Sequence, residues 1–114
     1  MAQTKRDLTE LNKLERYLKE HGIKYDRIDN ENEYDALGYF LTLERRQIIV
    51  PSNTEERKWD AICHYGSYGG DQGLLEIMGD IVDVKEDGDS VVGFLTAADV
   101  IERIERKAKN DTGA

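Results

Sequence analysis

Leucines at 8, 11, 14 and 18, with Tyr17 beside them, recur at the three- and four-residue steps of a single helix face. Thr4-x-x-Asp7 and Asp7-x-x-Glu10 offer capping geometry at its start, and Gly22 after His21 supplies a left-handed stop. Charged residues fill the other face, where Glu15 and Lys19 form an i,i+4 pair worth about 0.3 kcal/mol. The pattern predicts an amphipathic helix that packs on a core. Beyond it the period shortens. Ile23 and Tyr25 alternate with Lys24 and Asp26, which predicts a strand to Ile28. The polar run Asp29 to Asp35 predicts a loop. Residues 38–43 and 46–50 predict two strands turning near Glu44 and Arg45, the second closed by Pro51, which has no N–H to give a ladder. Ser52 to Lys58 is a charged connector, and Trp59 to His64 predicts a mostly buried strand.

In the last third, Asp71 is placed to cap a short helix over Gln72–Met78 that Gly79 would end. Ile81–Val84 and Val91–Leu95 predict a hairpin around Glu86-Asp87-Gly88-Asp89. Thr96 then starts a final helix, with Asp99 completing a capping box and Leu95 stapling onto Val100. Ala97, Val100, Ile101 and Ile104 make its apolar face, and Arg103, Arg106, Lys107 and Lys109 suit its negative end. Residues 110–114 are expected to fray. The order of elements predicts an α+β fold: one small domain over 1–114, with a mainly antiparallel sheet packed by an N-terminal and a C-terminal helix and a short middle helix. A length of 114 residues suits one domain with an ordinary core. Cys63 is the only cysteine, so no internal disulfide or cysteine-rich zinc site is expected, and a reducing, cytoplasmic setting fits. Met1 to Asp7 holds no apolar signal-peptide core, and no apolar run approaches the ~20 residues that span a bilayer.

Charge changes the picture. The net charge is −8, yet residues 59–95 hold one basic and eight acidic groups, so nearly all the imbalance lies there. Affinity for nucleic acid comes mostly from Lys and Arg on phosphates, so direct nucleic-acid binding is not expected. Anionic membrane surfaces are disfavoured on the same ground. A basic protein surface is the partner that this balance suits.

The stretch from Trp59 to Val84 contains five of the ten glycines and no lysine or arginine. Its glycines, Gly66-x-x-Gly69-Gly70-x-x-Gly73, match neither a phosphate loop, which needs a following Lys, nor a dinucleotide fingerprint. Backbone amides opening a 72–78 helix offer an anion site, although Asp71 would fill it. Cys63 and His64 fall on opposite faces of a strand, so they do not form a nucleophile–base pair. His64 with Glu76 is the one weak catalytic candidate. Gly66-Ser67-Tyr68-Gly69 is not a nucleophile elbow. Asp83-x-x-x-Asp87-Gly88-Asp89 fails as a calcium loop, because its twelfth position is Phe94. Neither a metal nor a cofactor is expected.

The run His64-x-Gly66-Ser67-Tyr68-Gly69-x-x-x-Gly73-Leu74-Leu75-Glu76-Ile77, followed by Val91-Val92-Gly93-Phe94-Leu95-Thr96-Ala97-x-Asp99-Val100-Ile101, resembles small uncharacterised proteins encoded in phages and prophages of Gram-positive bacteria. Leu14-Glu15-x-Tyr17-Leu18 and Arg46-Gln47-Ile48-x-Val50-Pro51 extend the resemblance over most of the chain. It implies a genomic setting, within a bacterial host cell, where small acidic proteins are often inhibitors of defence systems. The resulting expectation is a non-enzymatic binding protein, in that setting an inhibitor of a host defence protein. Its acidic and aromatic surface would comprise Asp60, Tyr65, Tyr68, Asp71, Glu76, Asp80 and Asp83. Two alternatives stand beside it. One is a nucleotide, phosphate or hydrolytic site on the 64–73 loop. The other is an oligomeric phage accessory or structural protein, for which a homo-oligomer is expected.

Overall fold

A computed structural model describes residues 6–112, apart from the side chains of 40–42 and 112. Five antiparallel strands form the main sheet in the order β1-β4-β5-β6-β7: β1 Asp26–Asn30, β4 Arg45–Val50, β5 Trp59–Ile62, β6 Leu75–Gly79 and β7 Val91–Leu95. Helices α1 (Thr9–Glu20) and α3 (Ala97–Thr112) lie against each other, and both bury apolar side chains in the core on one sheet face. A single turn of helix, α2 (Val84–Asp87), joins β6 to β7. The fold is therefore α+β, with N-terminal, middle and C-terminal helices on an antiparallel sheet. Among the described residues no helix is long and apolar enough to cross a membrane.

The two-residue period decides which side chains meet the helices. Ile48 and Val50, Trp59 and Ala61, and Leu75 and Ile77 point to Leu11, Leu14 and Leu18 of α1 and to Ala97 and Val100 of α3. Their strand neighbours Gln47, Asp60, Ile62 and Glu76 face the other way. Both helix ends form as their local chemistry dictates. Gly22, at φ +64°, closes α1 while the Ile23 N–H bonds the Leu18 carbonyl at 2.9 Å. At α3 the Asp99 N–H donates to Thr96 Oγ1 at 3.2 Å, and the Thr96 N–H donates to Asp99 at 3.0 Å. The start of α1 differs: Leu8 holds the cap position, and Asp7 accepts from the Thr9 N–H at 3.0 Å. Thr4 lies outside the described residues.

Three elements depart from the sequence reading. Residues 75–79 are a strand, and only one 3-10 turn, Gly70–Gln72, precedes it. Gly73, left-handed at φ +73°, ends that turn. Leu75 and Ile77 then alternate with Glu76, and partners on both sides satisfy the strand's backbone. No 72–78 helix exists, so its amides form no anion site. The 81–84 segment does not pair with β7; β6 does, and Asp83 instead caps α2 by accepting from the Lys85 and Glu86 N–H groups. Finally, residues 31–43 leave the main sheet. Glu33–Tyr34 (β2) and Phe40–Thr42 (β3) pair only with each other, while the next strand, β4, pairs with β1 and β5. The expected 38–50 hairpin is thus replaced by a separate two-stranded arm.

Candidate functional site

The glycine loop, residues 64–73, runs from β5 to the start of β6 and folds back on β7. Three of its glycines, Gly69, Gly70 and Gly73, serve close packing. A Cβ on Gly70 would collide with Ser67 Oγ and the His64 carbonyl, and one on Gly93 of β7 would collide with Tyr68. A Cβ on Gly69 would meet Leu74 Cβ at 2.9 Å and Phe94 Cα at 3.0 Å. The loop's polar groups are turned inward as well. Ser67 Oγ donates to the His64 carbonyl at 2.7 Å and accepts the His64 N–H at 3.0 Å. His64 Nδ1 accepts the Arg46 N–H at 3.0 Å, which fixes it as the unprotonated ring nitrogen. Burial holds the His64 pKa below its usual value, although Glu44 and Glu76 act the other way. Cys63 is buried, and burial pushes its thiol up to about 11, against the opposing effect of Arg6. The loop's hydroxyl and imidazole are thus engaged with backbone, and its thiol is shut away from solvent.

The sequence shows no cation near this loop, but the fold brings two. Arg6 donates to the Gly70 carbonyl at 2.9 Å and pairs with Asp71 at 3.1 Å and Glu44 at 2.6 Å. Glu44 also accepts the Tyr65 N–H at 2.8 Å and pairs with Arg46 at 3.4 Å. Arg46 continues to Asp29 at 3.5 Å, Asp29 to Arg27 at 2.7 Å, and Arg27 to Glu15 of α1 at 3.1 Å. The result is one line of alternating charges, Glu15–Arg27–Asp29–Arg46–Glu44–Arg6–Asp71, which ties α1, β1, β4 and the loop together. Burial disfavours the charged form of Glu44, but Arg6, the Tyr65 amide and Arg46 outweigh it and hold the carboxyl below its usual range.

The seven expected surface residues are consequently dispersed. Asp60 is buried on the sheet face away from the helices, where it accepts from Gln47 Nε2 at 2.7 Å and pairs with Arg57 at 3.5 Å. Glu76 is buried on the same face and accepts the Tyr68 N–H at 2.9 Å, so it is not joined to His64 as an acid–base pair. Asp71 is exposed but paired with Arg6. Asp80 and Asp83 lie beyond the opposite end of β6. Of the seven, Tyr65 and Tyr68 stand exposed on the loop with Asp71.

Next to Tyr68 is a residue that the sequence reading passed over. The Phe94 N–H donates to the Tyr68 carbonyl at 3.1 Å, and the β6–β7 register slips beside it, between Leu75 and Ile77. Phe94 is the only non-glycine residue with positive φ, at 59°, among those described, and it remains 56% exposed. Gly93 inside a strand pattern is the signal that marks such a bulge.

A concavity of about 420 Å³ separates α2 from α3. Its cations are all matched: Arg103 with Asp87 at 2.8 Å, Arg106 with Glu102 at 2.7 Å, and Lys107 with Asp111 at 3.5 Å. Among the described residues, no three His, Cys, Asp or Glu side chains gather as metal ligands would. No protein-family model matches this chain, and neither a curated protein nor a solved structure does.

Proposed function

We propose that this domain acts by binding another protein, with Tyr65, Tyr68 and Phe94 as its contact ridge. The observation that carries this reading is the backbone of Phe94. A left-handed conformation at a side-chain-bearing residue costs about 1–2 kcal/mol. More than half of the residue's surface stays in water, so burial returns only part of that cost. Stability alone would place glycine there. Strain kept beneath an exposed aromatic ring is what a recognition residue requires.

Acidity enters through the whole molecule, because Arg6 and Arg46 offset the carboxylates nearest the loop. A net charge of −8 still favours encounter with a basic partner. In the phage setting that the sequence suggests, the nucleic-acid-binding face of a host defence enzyme is one such surface. Affinity capture from a bacterial host lysate tests the reading, with the parent chain and a Tyr68→Ser/Phe94→Gly variant compared quantitatively. Identified proteins held by the parent should fall at least tenfold on the variant, and equal recovery contradicts the proposal. Thermal shift against nucleotides checks the competing ligand reading, since a ligand at ~100 times its dissociation constant adds about 2.7 kcal/mol.

A further inference from the structure

A second surface lies outside the aromatic ridge. The arm formed by residues 31–43 pairs with no strand of the main sheet, and each of residues 31–39 is exposed. A two-stranded ribbon without a third strand or a covering helix is marginal in water, so this arm is incompletely buried as it stands. Its tip is nevertheless built to a fixed shape. The Asp35 N–H donates to the Tyr39 carbonyl at 2.8 Å, and the Gly38 N–H donates to the Asp35 carbonyl at 3.0 Å. Asp35 Oδ1 accepts the N–H groups of Leu37 and Tyr39, each at 2.9 Å. Gly38 has φ +85°, so Ala36-Leu37-Gly38 is a three-residue hairpin loop ending in a left-handed glycine. This turn holds out Leu37, the most exposed of the large apolar residues described, at 82%, with Tyr39 and Leu43 also exposed.

Charge identifies the occupant. Within the arm, residues 31–43, the acidic residues are Glu31, Glu33 and Asp35, and none is basic. Arg46 approaches Glu31 at 3.6 Å, at the base of the arm, and Glu33 lies further out along β2. A second copy would set like charge against like, in a chain already at −8. We propose that the arm inserts Leu37 and Tyr39 into an apolar groove on another protein, and that lysines and arginines rim that groove opposite Glu31 and Glu33. A pre-formed turn lowers the ordering cost of such an insertion. The arm proposal goes beyond the ridge reading and does not need Phe94.

Photo-cross-linking tests it. The full chain carries benzoylphenylalanine in place of Leu37 and is illuminated in host lysate. The adduct and its cross-linked peptide are identified by mass spectrometry, and that protein is purified. It is then titrated with the parent, Leu37→Ser, Glu31→Lys/Glu33→Lys and Phe94→Gly chains at low and physiological salt. The expected adduct peptide joins apolar residues with Lys or Arg. Leu37→Ser should weaken binding at least tenfold, and the charge reversal should weaken it and flatten its salt dependence. Leu37→Ser should unfold at the parent's temperature, because Leu37 lies outside the core. An adduct only with a second copy, no adduct, or unchanged affinity for Leu37→Ser overturns the proposal. Loss of affinity in Phe94→Gly alone supports the ridge and rejects the arm. Loss in Leu37→Ser alone does the reverse.

Discussion

At the scale of single residues, the loop's titratable side chains are defined by what they touch. His64 Nδ1 accepts the Arg46 N–H, so its proton sits on Nε2 and the ring is neutral at pH 7. The folded pKa lies below 6.5, so the unfolded chain takes the proton first, and stability is lost as pH falls below that value. Asparagine can present an amide oxygen as acceptor without titrating. The stability of the parent relative to His64→Asn should therefore drop as pH falls below about 6.5, as read by urea unfolding at each pH; a constant difference contradicts the assignment. Cys63, raised to about 11 by burial, should resist a thiol reagent in native buffer and react on unfolding, as a colorimetric thiol assay reports. Little of this was readable from residue order. The strand expected to run to His64 ends at Ile62, so Cys63 and His64 lie just beyond it, and the Arg46 amide that fixes the imidazole is 18 residues away.

Among elements, the two long helices and strands β4, β5 and β7 fell close to where the reading placed them, and the misses came where a segment suited two structures or its partner strand was not the neighbour in sequence. Both long helices carry their own periodicity, and α3 its capping box as well, so α1 and α3 were legible. Residues 74–78, Leu-Leu-Glu-Ile-Met, suit either a helix face or a strand alternation. Pairing with β5 and β7 decided for the strand, and pairing is not local information. The glycine loop was legible as unusual, yet its role was not, because Gly93 meets Tyr68 only after β7 is in place. Gly93→Ala should therefore lower stability by about 1–3 kcal/mol, the usual range for overpacking, as measured by thermal unfolding. No change would mean that the loop sits loosely on β7. The charge line through Glu44 is a second nonlocal tie. Glu44→Gln should cost about 2–3 kcal/mol, since Arg6 and Arg46 then lose their shared, largely buried carboxylate. Replacing Arg6 as well should recover part of that loss in a double-mutant cycle.

For the whole molecule, acid acts on several of these ties in the same direction. Arg103 holds Asp87 below its usual value despite partial burial, and Glu44 is held low as well, so both stabilise above the ordinary carboxylate range. Their contribution disappears as pH falls through their folded values, below the loss already begun at His64. The fold thus invests its buried charges in holding the loop and α2, and leaves apolar groups outside at Tyr65, Tyr68 and Phe94 and along the arm. That division is the basis for reading the domain as a binding protein, and Phe94 tests it most directly. Equilibrium urea unfolding of Phe94→Gly against the parent measures whether the exposed ring costs the fold or supports it. The account predicts a variant at least as stable as the parent, and more stable by up to about 1 kcal/mol, because glycine accepts the left-handed backbone without strain and only part of the ring's burial is lost. A variant less stable by a similar amount would contradict it, and would make Phe94 a packing residue rather than one held out for a partner.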